Sequence, residues 1–279
     1  MSEEFIEVEE KLLDYLLKKF NKLSRNSVKN LLTSKKIVIN NKVVTKHDYL
    51  LKKGDKISFQ GKKSNCVLKI IYEDDLFLVI DKPYNLLTVA TDKEKEKTAY
   101  VEVNKYIKQN NKNEKIFVLH RLDKDTSGVL VFCKNEEIKN ELQDVWNECV
   151  KIRGYVAVVE GKLKKSKGTI KSYLKEGKNR MVFATSPKEG KLAITDYEVL
   201  KENSKYSLVS VNLLTGRKNQ IRVHFKDMGN ILLGDKKYGS ECDPIKRLCL
   251  HANKLSFVCR GKNYTFESNI PSQFNNLVL

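Results

Sequence analysis

The sequence predicts an α+β chain in two parts: a small N-terminal helix-helix-strand module and a larger domain on a mixed, largely antiparallel sheet. Three observations carry this. Near the start, apolar residues recur at helical spacing and are followed by short β-branched runs around Asn40-Asn41. From Cys66 onward many short strand-like runs follow one another with only isolated helical stretches. Charge changes at the same place: Lys11–Asn65 holds 15 Lys plus Arg against 3 Asp plus Glu, a balance of +12. The expected domains are 1–62 and 66–279.

In order, Glu4 to Phe20 predicts a first helix, with Phe5, Leu12, Leu13, Leu16, Leu17 and Phe20 on one stripe. Ser24 is the expected cap of a second, carrying Val28, Leu31 and Leu32. "KIVINNKVV" and "LLKKGDKISF" then supply short strands and a turn, ending near "GKKSN". In the larger domain, "VLKIIYEDDLFLVIDKP" reads as two strands around Glu73 to Asp75, and "NEEIKNELQDVWNE" as a helix through Ile138, Leu142, Val145 and Trp146. The remaining strands are "GYVAVVEG", "GTIKSYL", "RMVFAT", "AITDYEVL", "YSLVSVNLL", "NKLSFVC" and "NYTFES".

No apolar run is long enough to span a bilayer, and the acidic opening "MSEEFIEVEE" is unlike a secretory leader. A cytoplasmic, non-membrane protein is expected. The six cysteines form no CxxC pair and have no histidine at ligand spacing, so neither a disulfide framework nor a metal site is signalled. A net charge of +18 points to a polyanionic partner. Only eight of the 53 basic residues are arginine, so each arginine draws attention as a planar, forked donor, Arg121 and Arg222 first.

"VLHRLDKDTSGVLVF" (Val118–Phe132) places His120, Arg121, Asp123, Lys124 and Asp125 between two strand-like segments, where reactive side chains are commonly presented. Turn chemistry alone accounts for Asp, Ser and Gly in such a loop. An aspartyl phosphotransferase also uses an Asp-x-Asp after a strand, but His120 and Arg121 interrupt the strand, and no later acidic pair stands ready to clamp a metal.

The loop "HRLDKDTSG" resembles the central motif of RluA-type pseudouridine synthases. Other segments match that family in order: "IYEDDLFLVIDKPYNLLTV", "RGYVAVVEG", "LLTGRKNQIRVH", "GDKKYG" and "LCLHANKLSF". His120 stands where the sister family usually has Gly. The N-terminal module, through "LSRNSVKNLLTSKKIVINNKVV" and "LKKGDKI", resembles the alpha-L motif of a small-subunit ribosomal protein, which lays a basic face on structured RNA.

The resemblance implies an isomerisation in which the bond between uracil and ribose breaks, the base turns, and the two rejoin through carbon, without cofactor or metal. It makes Asp123 the catalytic carboxylate, Tyr155 the active-site tyrosine that stacks on uracil, and Arg222 the arginine that pairs with the aspartate. Arg121 would fill the stack vacated by the flipped nucleotide, and His120 would brace the loop beside the RNA. Lys82 and Pro83 would shape a supporting turn. Arg25, Lys29, Lys35 and Lys36 are expected RNA contacts of the small module. The partner implied is structured RNA, ribosomal before transfer RNA, bound by a monomer. The competing function is a noncatalytic RNA-binding or ribosome-assembly protein retaining the same fold. Some positions depart from the family pattern: Asn85 replaces a Gly, "TVAT" a Val-His-Pro, Arg153 a Lys and Asn219 a His. They bear on substrate choice. Asn85 is expected to tolerate the left-handed backbone a Gly would adopt.

Overall fold

A computed structural model describes residues 3–20, 25–33, 37–59 and 68–279. The chain divides into two compact units, Met1–Asn65 and Cys66–Leu279.

The first unit runs β1 (Glu3–Phe5), β2 (Glu10–Lys11), α1 (Leu12–Lys19), α2 (Arg25–Thr33), β3 (Ile37–Ile39), β4 (Lys42–Val43), β5 (Leu50–Leu51) and β6 (Lys56–Phe59). The helix expected from Glu4 begins only at Leu12, because Glu3–Phe5 pairs antiparallel with β6, Glu4 opposite Ile57. Phe5, expected on the buried stripe, is 68% exposed, and Ile6 beside it enters the core instead. Leu12, Leu16, Val28, Leu32, Ile37 and Ile57 form the core of this unit. Arg25 and Lys29, one turn apart on α2, are exposed, whereas Val28 and Leu32 of the same helix are buried. Ser24, Lys35, Lys36 and Cys66 lie outside the described residues.

The second unit continues with β7 (Lys69–Glu73), β8 (Phe77–Lys82), α3 (Ala99–Asn110), β9 (Phe117–Val118), β10 (Ser127–Cys133), α4 (Glu136–Asp144), α5 (Trp146–Cys149) and β11 (Val150–Glu160). Then come β12 (Lys167–Glu176), β13 (Val182–Thr185), β14 (Lys191–Glu202), β15 (Tyr206–Leu213), α6 (Gln220–Asp227), β16 (Leu250–Cys259), β17 (Lys262–Glu267) and α7 (Ser272–Asn276). Among the described residues, eleven strands form one sheet in the order β13-β12-β14-β15-β11-β16-β10-β8-β7, with β17 on β16 and β9 on β10. Its pairings are antiparallel except that of β10 with β16, where Ser127 lies opposite His251 and Gly128 opposite Ala252. That contact requires glycine: Gly128 has φ +116°, and a Cβ there would lie 2.1 Å from the Ala252 carbonyl oxygen.

The continuous apolar runs of β8 and β10 follow from burial on both faces. Phe77, Val79, Val129 and Val131 pack with Ile138 and Leu142 of α4. Leu78, Ile80, Leu130 and Phe132 pack with Ala99, Val103 and Ile107 of α3. Helices α3 and α6 were not foreseen. Gln220 through Phe225 of α6 are all buried, polar and apolar alike, so this helix has no amphipathic stripe to read. Its polar members are satisfied within the core. Gln220 Nε2 donates to Ile194 O (2.9 Å) and Thr195 Oγ1 (2.8 Å), and His224 bonds Thr195 Oγ1 and Ser172 Oγ, both at 2.9 Å.

Candidate active site

Asp123 sits on the loop between β9 and β10, and that loop is tied down at several points. Thr88 Oγ1 donates to Leu122 O (2.8 Å) and accepts from the Leu122 N–H (3.2 Å). The Thr126 N–H closes a turn onto Asp123 O at 3.2 Å. Lys82, fully buried, donates from Nζ to Pro83 O (3.0 Å), Leu86 O (2.7 Å) and Lys124 O (3.2 Å), joining the Lys-Pro turn to the aspartate loop. Burial pushes its pKa down to about 7, against the opposing charges of Asp125 and Asp123. Asn85, in the same turn, takes φ +60°, the left-handed conformation expected of it. At the far end of the loop, Arg247 Nη2 donates to Ser127 Oγ (2.6 Å), which also bonds His251 Nδ1 (2.8 Å).

His120 accepts the Val131 N–H at Nε2 (3.1 Å), and its ring stacks on Trp146 at 5.7 Å. Burial, helped by the nearby Arg153 charge, lowers its pKa to about 4, so it is neutral at pH 7. Its bonded ring nitrogen makes it a brace for the loop; toward solvent it offers only a place on a cavity wall.

Arg222 departs from the expected pairing. Its Nε donates to Asp235 Oδ2 (2.7 Å) and its Nη2 to Oδ1 of the same carboxylate, while Nη1 reaches Asn219 Oδ1 (3.3 Å). Asp235 is 1% exposed and caps a 3-10 turn over Lys236–Tyr238, and the Tyr238 ring lies 5.0 Å from the guanidinium. The fork on Asp235 follows from geometry, since both carboxylate oxygens meet two nitrogens in one plane. Burial opposes the Arg222 charge, but Asp235's bonds and charge outweigh it with help from Asp123's charge, so the pKa is raised. Asp235 was not singled out in the sequence. Its only signal was its position in "GDKKYG".

Asp123, Tyr155 and Arg222 nonetheless share the wall of one cavity of about 390 Å³, with Arg121, Asn219 and Leu250. Tyr155 is half-buried on β11, and burial first, then the Asp123 charge, raises its pKa to about 12. It therefore keeps its proton at neutral pH. Arg121 is exposed, and among the described residues no carboxylate forms an ion pair with it. A second cavity of about 910 Å³ adjoins the first and shares Arg121, Leu122, Tyr155, Leu213 and Arg217 with it. Among the described residues no three His, Cys, Asp or Glu side chains converge as a metal site, and no helix is long and apolar enough to cross a membrane. The site combines a carboxylate, a tyrosine and a fixed guanidinium around a recess of nucleoside size.

A family model described as RNA pseudouridylate synthase matches residues 76–227, which include Asp123, Tyr155 and Arg222. An uncharacterised RNA pseudouridine synthase of Mycoplasma genitalium is 33% identical over 97% of this chain and 92% of its own length. The ribosomal large subunit pseudouridine synthase D of Borreliella burgdorferi is 35% identical over 84% of this chain and 75% of its own. In fold, the chain is similar to human RNA pseudouridylate synthase domain containing 4, with a TM-score of 0.63 at 23% identity, covering 74% of this chain and 90% of that one. With a large mixed sheet, few helices and these relatives, the chain belongs to the RNA pseudouridylate synthase family, of the RluA type, and is an isomerase that modifies RNA.

Proposed function

We propose that the enzyme acts on uridine in large-subunit ribosomal RNA, with Asp123 as the catalytic carboxylate. The observation that carries this is the single 390 Å³ cavity in which Asp123, Tyr155 and Arg222 meet. A uridine inside a stem is out of reach of Asp123, so it must leave its stack, at a cost of roughly a few kcal/mol. Arg121, exposed at the rim and free of an acid partner among the described residues, is suited to fill the gap. Asp123 attacks or deprotonates the nucleoside, Tyr155, protonated, stacks on the uracil, and Arg222, held by Asp235, keeps positive charge beside the carboxylate. The large-subunit assignment is supported by the likeness to the ribosomal large subunit pseudouridine synthase D of Borreliella burgdorferi.

The first unit acts as an alpha-L RNA-binding domain, docking phosphates with Arg25, Lys29 and the neighbouring Lys35 and Lys36. The protein works as a cytoplasmic monomer. The test is tritium release from unmodified ribosomal and transfer RNA labelled at carbon five of uridine, for wild type and Asp123→Asn, with EDTA present. Release from ribosomal RNA by wild type alone is expected, with RNA binding retained by the variant. Tight binding by both proteins without release would favour the noncatalytic docking role, and release by Asp123→Asn would remove the carboxylate from the chemistry.

A further inference from the structure

We infer that the 910 Å³ cavity beside the catalytic pocket is a second nucleotide subsite, which takes an unstacked nucleotide adjacent to the target uridine in the substrate RNA. The inference rests on the proposed turnover at Asp123. Its volume falls within the roughly 300–1,000 Å³ of typical ligand sites. Continuity comes first. The two cavities share Arg121, Tyr155 and Arg217, so a strand whose uridine occupies one passes directly to the other.

Charge is the second argument. Three of the eight arginines, Arg121, Arg153 and Arg217, line this cavity, and among the described residues none forms an ion pair with a carboxylate. Outside it, Arg222 and Arg260 form such pairs, whereas Arg180 and Arg247, among the described residues, do not. Arg153 is half-buried, and its Nη2 donates only to neutral oxygens, Asn147 Oδ1 (2.9 Å) and Trp146 O (3.5 Å). A partly buried guanidinium with no acid beside it keeps its planar charge free to meet a ligand's aromatic base.

The third argument is shape. Trp146, half-buried on the wall, stacks on His120 with 19° between planes, and the Arg153 guanidinium carbon lies 6.0 Å from its ring centroid. Leu214 adds an apolar surface that is 52% exposed. The Arg153 guanidinium, indole and exposed leucine together accept a base, while Arg217 holds its phosphate.

Trp146 is the single tryptophan of the chain, so its fluorescence reports occupancy of this cavity. The probe is a stem-loop RNA copied from the mapped modification site, intact or with an abasic nucleotide immediately 5′ or 3′ of the target. The intact RNA is expected to quench Trp146. Loss of the base on one side should abolish the quench and lower kcat/KM about tenfold, as for loss of one stacked base, with kcat at saturation little changed. In Arg153→Gln the same abasic RNA should cost little more than the intact one, because base and guanidinium act as one unit. Leu214→Tyr, a change at an exposed position, should occlude the cavity and reproduce the kcat/KM loss without altering thermal stability. Turnover with a quench and kcat/KM indifferent to both flanking bases overturns the subsite, as do fully additive losses in Arg153→Gln. A base-dependent quench without tritium release would instead sink the catalytic assignment while leaving the subsite occupied.

Discussion

Arg222 shares a cavity wall with Asp123 but is bonded to Asp235. It forks onto Asp235, at 2.7 Å through Nε, whereas Asp123 acts on it as a charge alone. Asp235 thereby holds the guanidinium in one plane beside the pocket it shares with Asp123 and Tyr155. Asp235→Asn should destabilise the protein by about 3 kcal/mol, because it leaves a buried cation half-compensated. Tritium release should fall with it under conditions where the variant remains folded. Urea denaturation and a release assay check the two effects separately, and undiminished release in the folded variant would show that the fork onto Asp235 is not needed to place Arg222.

Three of the four histidines are held neutral by burial: His120, His224 and His251 each have a pKa lowered to about 4. A folded pKa below the unfolded value of about 6.5 stabilises above pH 6.5, and that contribution is lost as pH falls toward 4. For the fully buried His224 and His251 the loss approaches about 3 kcal/mol each by linkage. Chemical denaturation across pH 7 to 4 should show this decline, and His224→Gln should flatten it by one proton.

Gly128 cannot carry a side chain where it meets β16. Gly128→Ala should cost roughly 3 kcal/mol or more, combining a positive φ with a clash against a backbone carbonyl. Thermal melting measures it. A variant with an unchanged Tm would mean that β10 and β16 have room to separate.

Arg25→Glu with Lys29→Glu should weaken RNA binding by about tenfold or more near physiological salt and lower the slope of log Kd against log salt. Both residues are exposed, so the Tm should not move. An unchanged slope in a binding titration would exclude this face from docking.

The strands were legible because their apolar residues are buried on one or both faces of a sheet, as in β8 and β10. The loop with Asp123 was legible because charged residues interrupt two such runs. What was hidden is what depends on long-range pairing. Gln220 to Phe225 of α6 are all buried, and the Gln220 amide and the His224 ring find partners 25 or more positions away, as Gln220 does with Thr195. The same holds for the partner of Arg222: local sequence names the arginine, but only the folded chain brings Asp235 to it. Strand β1 was hidden for the converse reason, since a run compatible with helix gained more by pairing with β6.

The position of β16 sets an order for folding during synthesis. It is the strand that lies between β11 and β10, so until it has been made the sheet exists as two separate halves. The bond from Ser127 to His251 spans 124 residues, which gives the Asp123 loop a high contact order. A nascent chain therefore carries the Asp123 loop long before β16 is made to close the sheet beside it.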